Sequence, residues 1–166
     1  MQHLEAPEQI KELVKLAGQA AHAHACSLYL LDASGQALIP FVVHGLPPDY
    51  VVIANRIGVG EQACGRAVKF GRPWVVSDIQ SDGLFVAVRP LAEQFKLRAA
   101  FSVPVFALSA KPIGAMACYY SVPYTATNVD IERNELYAKL IGFALERGGP
   151  GMFSVPALHQ SAVGIH

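Results

Sequence analysis

Apolar residues near the start of the chain recur at helical spacing. Ile10, Leu13, Val14, Ala17, Ala20 and Ala21 fall three or four positions apart, which predicts one amphipathic helix, and Pro7 stands where a first turn tolerates proline. The period then shortens. Residues 26–32 and 37–45 read as strands, the second rich in β-formers (Ile39, Phe41, Val42, Val43), and Ser34-Gly35-Gln36 suits the short loop of an antiparallel hairpin. Pro47-Pro48 is expected to break regular structure. Ile57-Gly58-Val59-Gly60 reads as a flexible approach to a short helix over about 63–70, stopped by Gly71 and Pro73. A short strand over 74–77 and a helical or irregular crossover over 85–95 follow. Two strong strands, 100–108 and 113–120, are joined through Ser109-Ala110-Lys111-Pro112. Thr127-Asn128-Val129-Asp130 is a helix start signal, and Leu136, Tyr137, Leu140, Ile141, Ala144 and Leu145 form the stripe of a last helix.

This order predicts an α+β domain. The strands pair locally into an antiparallel sheet, with the first and last helices sharing one face. The other face is left to loops and short helices, which pack less completely than regular elements and leave a cavity. Residues 1–147 are read as one domain. Gly148-Gly149-Pro150-Gly151 stops the last helix, and 148–166 is read as a tail whose Met152, Phe153, Val155 and Leu158 suit docking on a surface.

Composition narrows the function. The length, 166 residues, is that of a single domain with its own core. Thirteen Lys and Arg balance thirteen Asp and Glu, so the whole chain carries no basic footprint for nucleic acid or anionic lipid. An apolar fraction of 52% with only 16% charged residues predicts self-association. Three cysteines without a Cys-x-x-Cys pair give neither a disulfide framework nor a zinc site. The start lacks a signal peptide and no stretch reaches the length of a membrane span, so the expected compartment is the cytoplasm.

The segments Gly60-Glu61-Gln62-Ala63-Cys64-Gly65-Arg66-Ala67-Val68, Gly71-Arg72-Pro73-Trp74-Val75-Val76-Ser77-Asp78-Ile79, Leu97-Arg98-Ala99-Ala100-Phe101-Ser102-Val103-Pro104-Val105 and Lys111-Pro112-Ile113-Gly114-Ala115-Met116-Ala117, taken in order, resemble a GAF domain over about residues 8–147. The resemblance implies a central antiparallel sheet with helices behind, a ligand pocket in front, and a homodimer formed through the terminal helices. GAF domains serve many ends, so the likeness does not name a ligand.

The turn into the short helix is the most informative place for chemistry. First-turn amides lack intrahelical partners and carry the positive end of the helix dipole, so Ala63 and Cys64 can seat a small anion or a carbonyl oxygen. GAF sensors of small anions use backbone amides near this position. The competing reading is a helix end capped by water or by Glu61 and Gln62. Cys64 at a helix start has its thiolate favoured and its pKa lowered where it is exposed. The resemblance also reaches the free methionine-(R)-sulfoxide reductases, GAF enzymes with one cysteine near this stretch, but the crossover over 84–100, where they place others, has none here. Cys26 and Cys118 lie in strands, where a small buried hydrophobe is the usual role.

Cyclic-nucleotide, bilin and haem uses of the family require residues not found at their places here, and no cofactor or metal is expected. Phe41, Phe85, Phe101 and Val103 are candidate pocket walls, with the amides of Ala63 and Cys64 as the polar end; an ordinary core uses the same residues. Alternation separates Phe101 and Val103 from Ser102 and Pro104 without saying which pair faces the cavity. Arg98 is either a contact for an anionic ligand or a surface charge paired with Asp78 or Asp82. The expectation is a sensory module binding an unidentified small anion or metabolite without turnover and signalling through a separate protein. The alternatives are a reductase using Cys64 and an unliganded dimerisation scaffold.

Overall fold

The computed structural model describes residues 6–147; the glycine stop and the tail lie outside them. Helix α1 (Glu8–Ala20) leads to strands β1 (Ala25–Leu31) and β2 (Ala37–His44). Helix α2 (Pro48–Ile53), strand β3 (Ile57–Gly58), helix α3 (Gln62–Phe70) and strand β4 (Trp74–Val76) come next. A 3₁₀ segment (Gly83–Val88) runs into α4 (Arg89–Gln94), then β5 (Ala99–Phe106), β6 (Pro112–Tyr120) and α5 (Asn128–Arg147). The six strands form one antiparallel sheet in the order β3-β2-β1-β6-β5-β4, and the fold is α+β as the sequence predicts.

Two expectations for the middle are corrected. Pro47-Pro48 does not end regular structure: Pro47 caps α2 and Pro48 opens it, because a first-turn proline has no amide to lose and its fixed φ already suits a helix. The run at 57–60 begins with a strand rather than a flexible approach, since Ala37 and Leu38 of β2 pair with Gly58 and Ile57.

Register divides the sheet into two unlike faces. Cys26 lies opposite Cys118, and Cys118 opposite Phe101, so these three point one way, with Leu28, Leu30, Val103, Val105, Met116 and Tyr120 beside them. They bury against Ile10, Val14 and Ala17 of α1 and Ala138, Ile141 and Leu145 of α5. Side chains one residue out of phase, Tyr29, Ala100, Ala115, Ala117 and Tyr119, form the second core with α3 and the short helices. The first and last helices thus share one face, as the hydrophobic stripes require.

Polar contacts fix the two terminal helices. Thr127 and Asp130 make a reciprocal capping box: the Thr127 amide donates to the Asp130 carboxylate at 2.9 Å and the Asp130 amide to the Thr127 hydroxyl at 3.1 Å. Arg133 donates to the Ala20 carbonyl at 2.8 Å, and the Tyr120 hydroxyl donates to that of Ala21 at 2.7 Å. Both bonds bring α5 and the sheet onto the end of α1.

Candidate functional site

The second face owes its hollow to small side chains. Ala100 of β5 and Ala117 of β6 lie under α3 and leave a partly open space of about 40 Å³, room for roughly three water molecules at ~10–15 Å³ each. Tyr50, Ile57, Ile79, Phe85, Val88, Leu91, Ala92, Leu97 and Tyr119 close it, and Gln62, Ala63 and Cys64 complete its wall. No lining side chain is charged.

Helix α3 is brought close to the sheet by Gly65. A Cβ at that position would sit 2.2 Å from the Gly58 carbonyl oxygen, so any larger residue would lift α3 off β3. The first turn of α3 has no side-chain cap. Glu61 accepts from the Gly58 amide at 2.9 Å instead, and Gln62 enters the helix with φ of +52°, a left-handed conformation uncommon outside glycine. The expected alternative, capping by Glu61 or Gln62, is therefore not what the structure has. Residues Ala63 and Cys64, just inside this uncapped end, line the hollow.

Hydroxyls lie around this wall, those of Tyr50 and Tyr119 on lining residues and the others behind it. Tyr29 donates to the Ala54 carbonyl at 2.7 Å, Ser27 and Tyr119 share a bond of 2.9 Å, and Ser102 lies 3.0 Å from the Met116 carbonyl and 3.4 Å from the Cys64 sulfur. Burial pushes the phenols of Tyr29, Tyr50 and Tyr119 up and holds them neutral. The same desolvation pushes the Cys64 thiol up to about 11, only partly offset by its bond to Ser102. The lowered thiol pKa was expected only for an exposed cysteine, and that condition is not met: Cys64 is buried.

Of the predicted pocket residues, Ala63, Cys64 and Phe85 do line the cavity. Phe41, Phe101 and Val103 do not; they belong to the core under α1 and α5. The cavity side of β5 is therefore the side of Ser102, which reaches the Cys64 sulfur, but of that phase only Ala100 lines the cavity, and Pro104 lies against α5 instead. Arg98 is paired with Asp78 through bonds of 2.9 and 3.2 Å, and its guanidinium holds the Asp78 carboxyl below the usual range. His44 ends β2, exposed. Among the described residues no group of His, Cys, Asp or Glu is placed to hold a metal, and no helix is long and apolar enough to cross a membrane.

Sequence reasoning missed Tyr50, Tyr119 and Arg66. Tyr50 lies in a helix that the double proline concealed. Tyr119 was legible as strand but not as cavity wall. Arg66 sits one turn into α3 with its guanidinium 5.4 Å from the centre of the Phe85 ring and 5.7 Å from that of Trp74, linking the cavity wall to the molecular surface; its place in the quoted motif was the available signal.

Similar folds are known. A domain named for a two-component sensor histidine kinase of Sinorhizobium meliloti 1021 matches with a TM-score of 0.71 and 18% identity over 86% of this chain and 92% of that one. The GAF domain of a phosphoenolpyruvate-protein phosphotransferase from Coxiella burnetii matches at 0.73 and 17%, over 86% and 85%. The free methionine-R-sulfoxide reductase of Neisseria meningitidis, solved with its substrate, matches at 0.61 and 19%, over 88% and 95%. No curated protein matches the sequence. The GAF domain family model spans residues 5–145, and with the six-stranded sheet and its half-roofed face this chain belongs to the GAF domain family.

Proposed function

We propose that this GAF domain is a sensor that takes a small neutral or singly charged anionic molecule between α3 and the β5–β6 floor and signals through a separate protein without turning its ligand over. The observation that carries the reading is the hollow itself: uncharged apolar walls meeting an uncapped helix start at Ala63 and Cys64, the usual make-up of a small-molecule site. Its roof consists of α2, the 3₁₀ segment and α4, each six residues long. Short elements of this kind open at low cost, so a ligand larger than the present space enters by selecting a more open roof.

The test is a thermal-shift screen of small carboxylates, inorganic anions, amino acids and nucleotides. A true ligand at a hundredfold excess over its dissociation constant stabilises the fold by about 2.7 kcal/mol, and Ala63→Val, which narrows the hollow, should cut that gain while leaving a cooperative melt. Trp74 is the chain's one tryptophan, and Arg66 rests on both it and Phe85, so binding should also change its fluorescence. A screen in which nothing shifts the melt favours the scaffold reading.

A reductase is the second reading, favoured by the place of Cys64 in the cavity wall and by the likeness to the Neisseria enzyme. Two features weigh against it. A thiol with a pKa near 11 is scarcely ionised at neutral pH, and thiolate is the nucleophile. The remaining cysteines, Cys26 and Cys118, lie in the core on the other face of the sheet, out of reach for resolving a bond at Cys64. Consumption of free methionine sulfoxide with a thiol reductant, lost in Cys64→Ser, would establish this reading over the first.

Pairing of two copies through α5 is part of the proposal. Val129, Leu136, Leu140 and Phe143 are all exposed on this helix, from 51% to 62%, and their spacings of seven, four and three match a coiled-coil seam. Leu140→Glu should convert a dimer to monomer in sedimentation velocity without lowering the melting temperature of the monomer.

A further inference from the structure

The end of the molecule where α3 meets β4 carries a feature separate from the cavity and from α5. Phe70 and Trp74 stack with their ring centres 5.6 Å apart and 20° between their planes, and Phe70 is 49% exposed. Three cations surround this pair. Arg66 and Arg72 lie 5.7 and 5.8 Å from the Trp74 ring centre, and Lys69 and Arg72 lie 5.5 and 6.0 Å from that of Phe70. Among the described residues, no carboxylate forms an ion pair with any of the three; the acid of the adjoining strand end, Asp78, is engaged by Arg98 instead.

Such an arrangement has a stated chemistry. A guanidinium held over a ring gives up rotational freedom in advance. The in-plane N–H edges of Arg72 remain able to meet a carboxylate in two-point fashion, while Arg66 already donates from one nitrogen to the Gln62 carbonyl at 3.1 Å and has its other N–H groups to offer. The ring pair adds an exposed apolar centre inside a charged rim, the anatomy of a protein interface. In a chain of zero net charge, three cations gathered without acids make a local positive field. We propose that this α3–β4 surface docks an acidic segment of a partner protein, with Arg66, Lys69 and Arg72 meeting its carboxylates and the Phe70–Trp74 pair meeting its apolar residues. Single-stranded nucleic acid is the less favoured occupant, because each ring already carries two of the cations and a stacking base must displace them.

Fluorescence anisotropy with a labelled short peptide of repeated Glu-Glu-Leu, its Gln-Gln-Leu counterpart and an oligothymidylate of equal length tests this on the full chain. The Glu peptide is expected to bind, to weaken as salt rises, and to lose about tenfold in affinity in Lys69→Glu/Arg72→Glu. Both substituted side chains are exposed and outside the cavity wall, so the melting temperature and any thermal shift by a cavity ligand should persist in this variant. A failed docking surface is thereby told apart from a failed sensor. Equal binding of the Gln peptide, indifference to the charge reversals, or tighter binding of the oligothymidylate would overturn the proposal.

Discussion

The two faces of the sheet are built from the same strands and to opposite ends. Under α1 and α5 the strands present Phe101, Leu28, Met116, Val103 and Val105, all at 1% exposure or less, and long helices cover them. On the other side β5 and β6 present Ala100, Ser102, Ala115 and Ala117, flanked by Tyr29 and Tyr119, and the cover is made of short pieces. Large side chains beneath a long helical cover pack the middle of that face tightly, and a roomy groove of about 320 Å³ lies only at its rim, between Pro104 and Phe106 of β5 and Glu132, Leu136 and Lys139 of α5. Small side chains beneath a broken cover leave a hollow over the middle of the sheet instead. Stability is therefore concentrated on the helix face and adaptability on the cavity face, and the difference is set by side-chain size at alternate strand positions.

Phe101 and Phe85 are the pair of residues that tests this division most strongly. Phe101→Ala removes a buried ring from the tightly packed face and should cost about 3–5 kcal/mol, read as a fall in the urea midpoint with unchanged slope. Phe85, also buried at 4% exposure against 1% for Phe101, sits in the roof beside a space already open. Phe85→Ala should cost less than Phe101→Ala, while changing the Trp74 fluorescence through the loss of its contact with Arg66. Equal losses of stability would mean that the roof is as much a part of the folding core as the helices, and the proposed opening would lose its physical basis.

The same contrast explains what the sequence could show. Element type, strand pairing and the shared face of the two terminal helices follow from periodicity, because α1 and the long strands repeat their patterns over several turns or pairs. The Thr127–Asp130 start signal is found as a reciprocal cap. The candidate site was half legible. Ala63, Cys64 and Phe85 come from a local signal, a helix start and a crossover, that keeps its meaning in three dimensions. Phe41, Phe101 and Val103 were placed by size and apolarity alone, and those properties do not distinguish a core from a cavity wall. Alternation gives two sets of residues along β5; only the packing of α3 and α5 on opposite sides decides which set is which. The phase had a physical clue in composition, since a wall that must leave room is made of Ala and Ser while a sealed core takes the ring.

The smallest expected effect concerns acid. On the cavity face the lining groups are uncharged and the pKa values of the Tyr and Cys residues are raised, so lowering the pH from neutral titrates none of them. On the helix face, Asp130 behaves differently. Burial raises its carboxyl pKa, but bonds from the Tyr124 hydroxyl and from the Thr127 amide and hydroxyl, with the charge of Arg133, outweigh that and leave it below the ordinary value of 3.8. A carboxyl whose pKa is lower in the folded state adds stability that is fully present above its unfolded value and is lost as pH falls through the folded one. Acid loosening should therefore begin where α5 starts, below about pH 4, with the Asp78–Arg98 pair weakening in the same window. Thr127→Ala removes one half of the cap and should cost about 1 kcal/mol at neutral pH. Asp130→Asn should remove part of the pH dependence itself, flattening urea midpoints measured between pH 6 and pH 3 relative to the parent chain. If the midpoint falls just as steeply in Asp130→Asn, acid sensitivity arises outside this cap and the helix face is not where protonation is felt. Hydrogen exchange of the first-turn amides of α5, compared with those of α3, locates the loosening directly: protection should drop first in α5, because α3 begins without any carboxylate cap to lose.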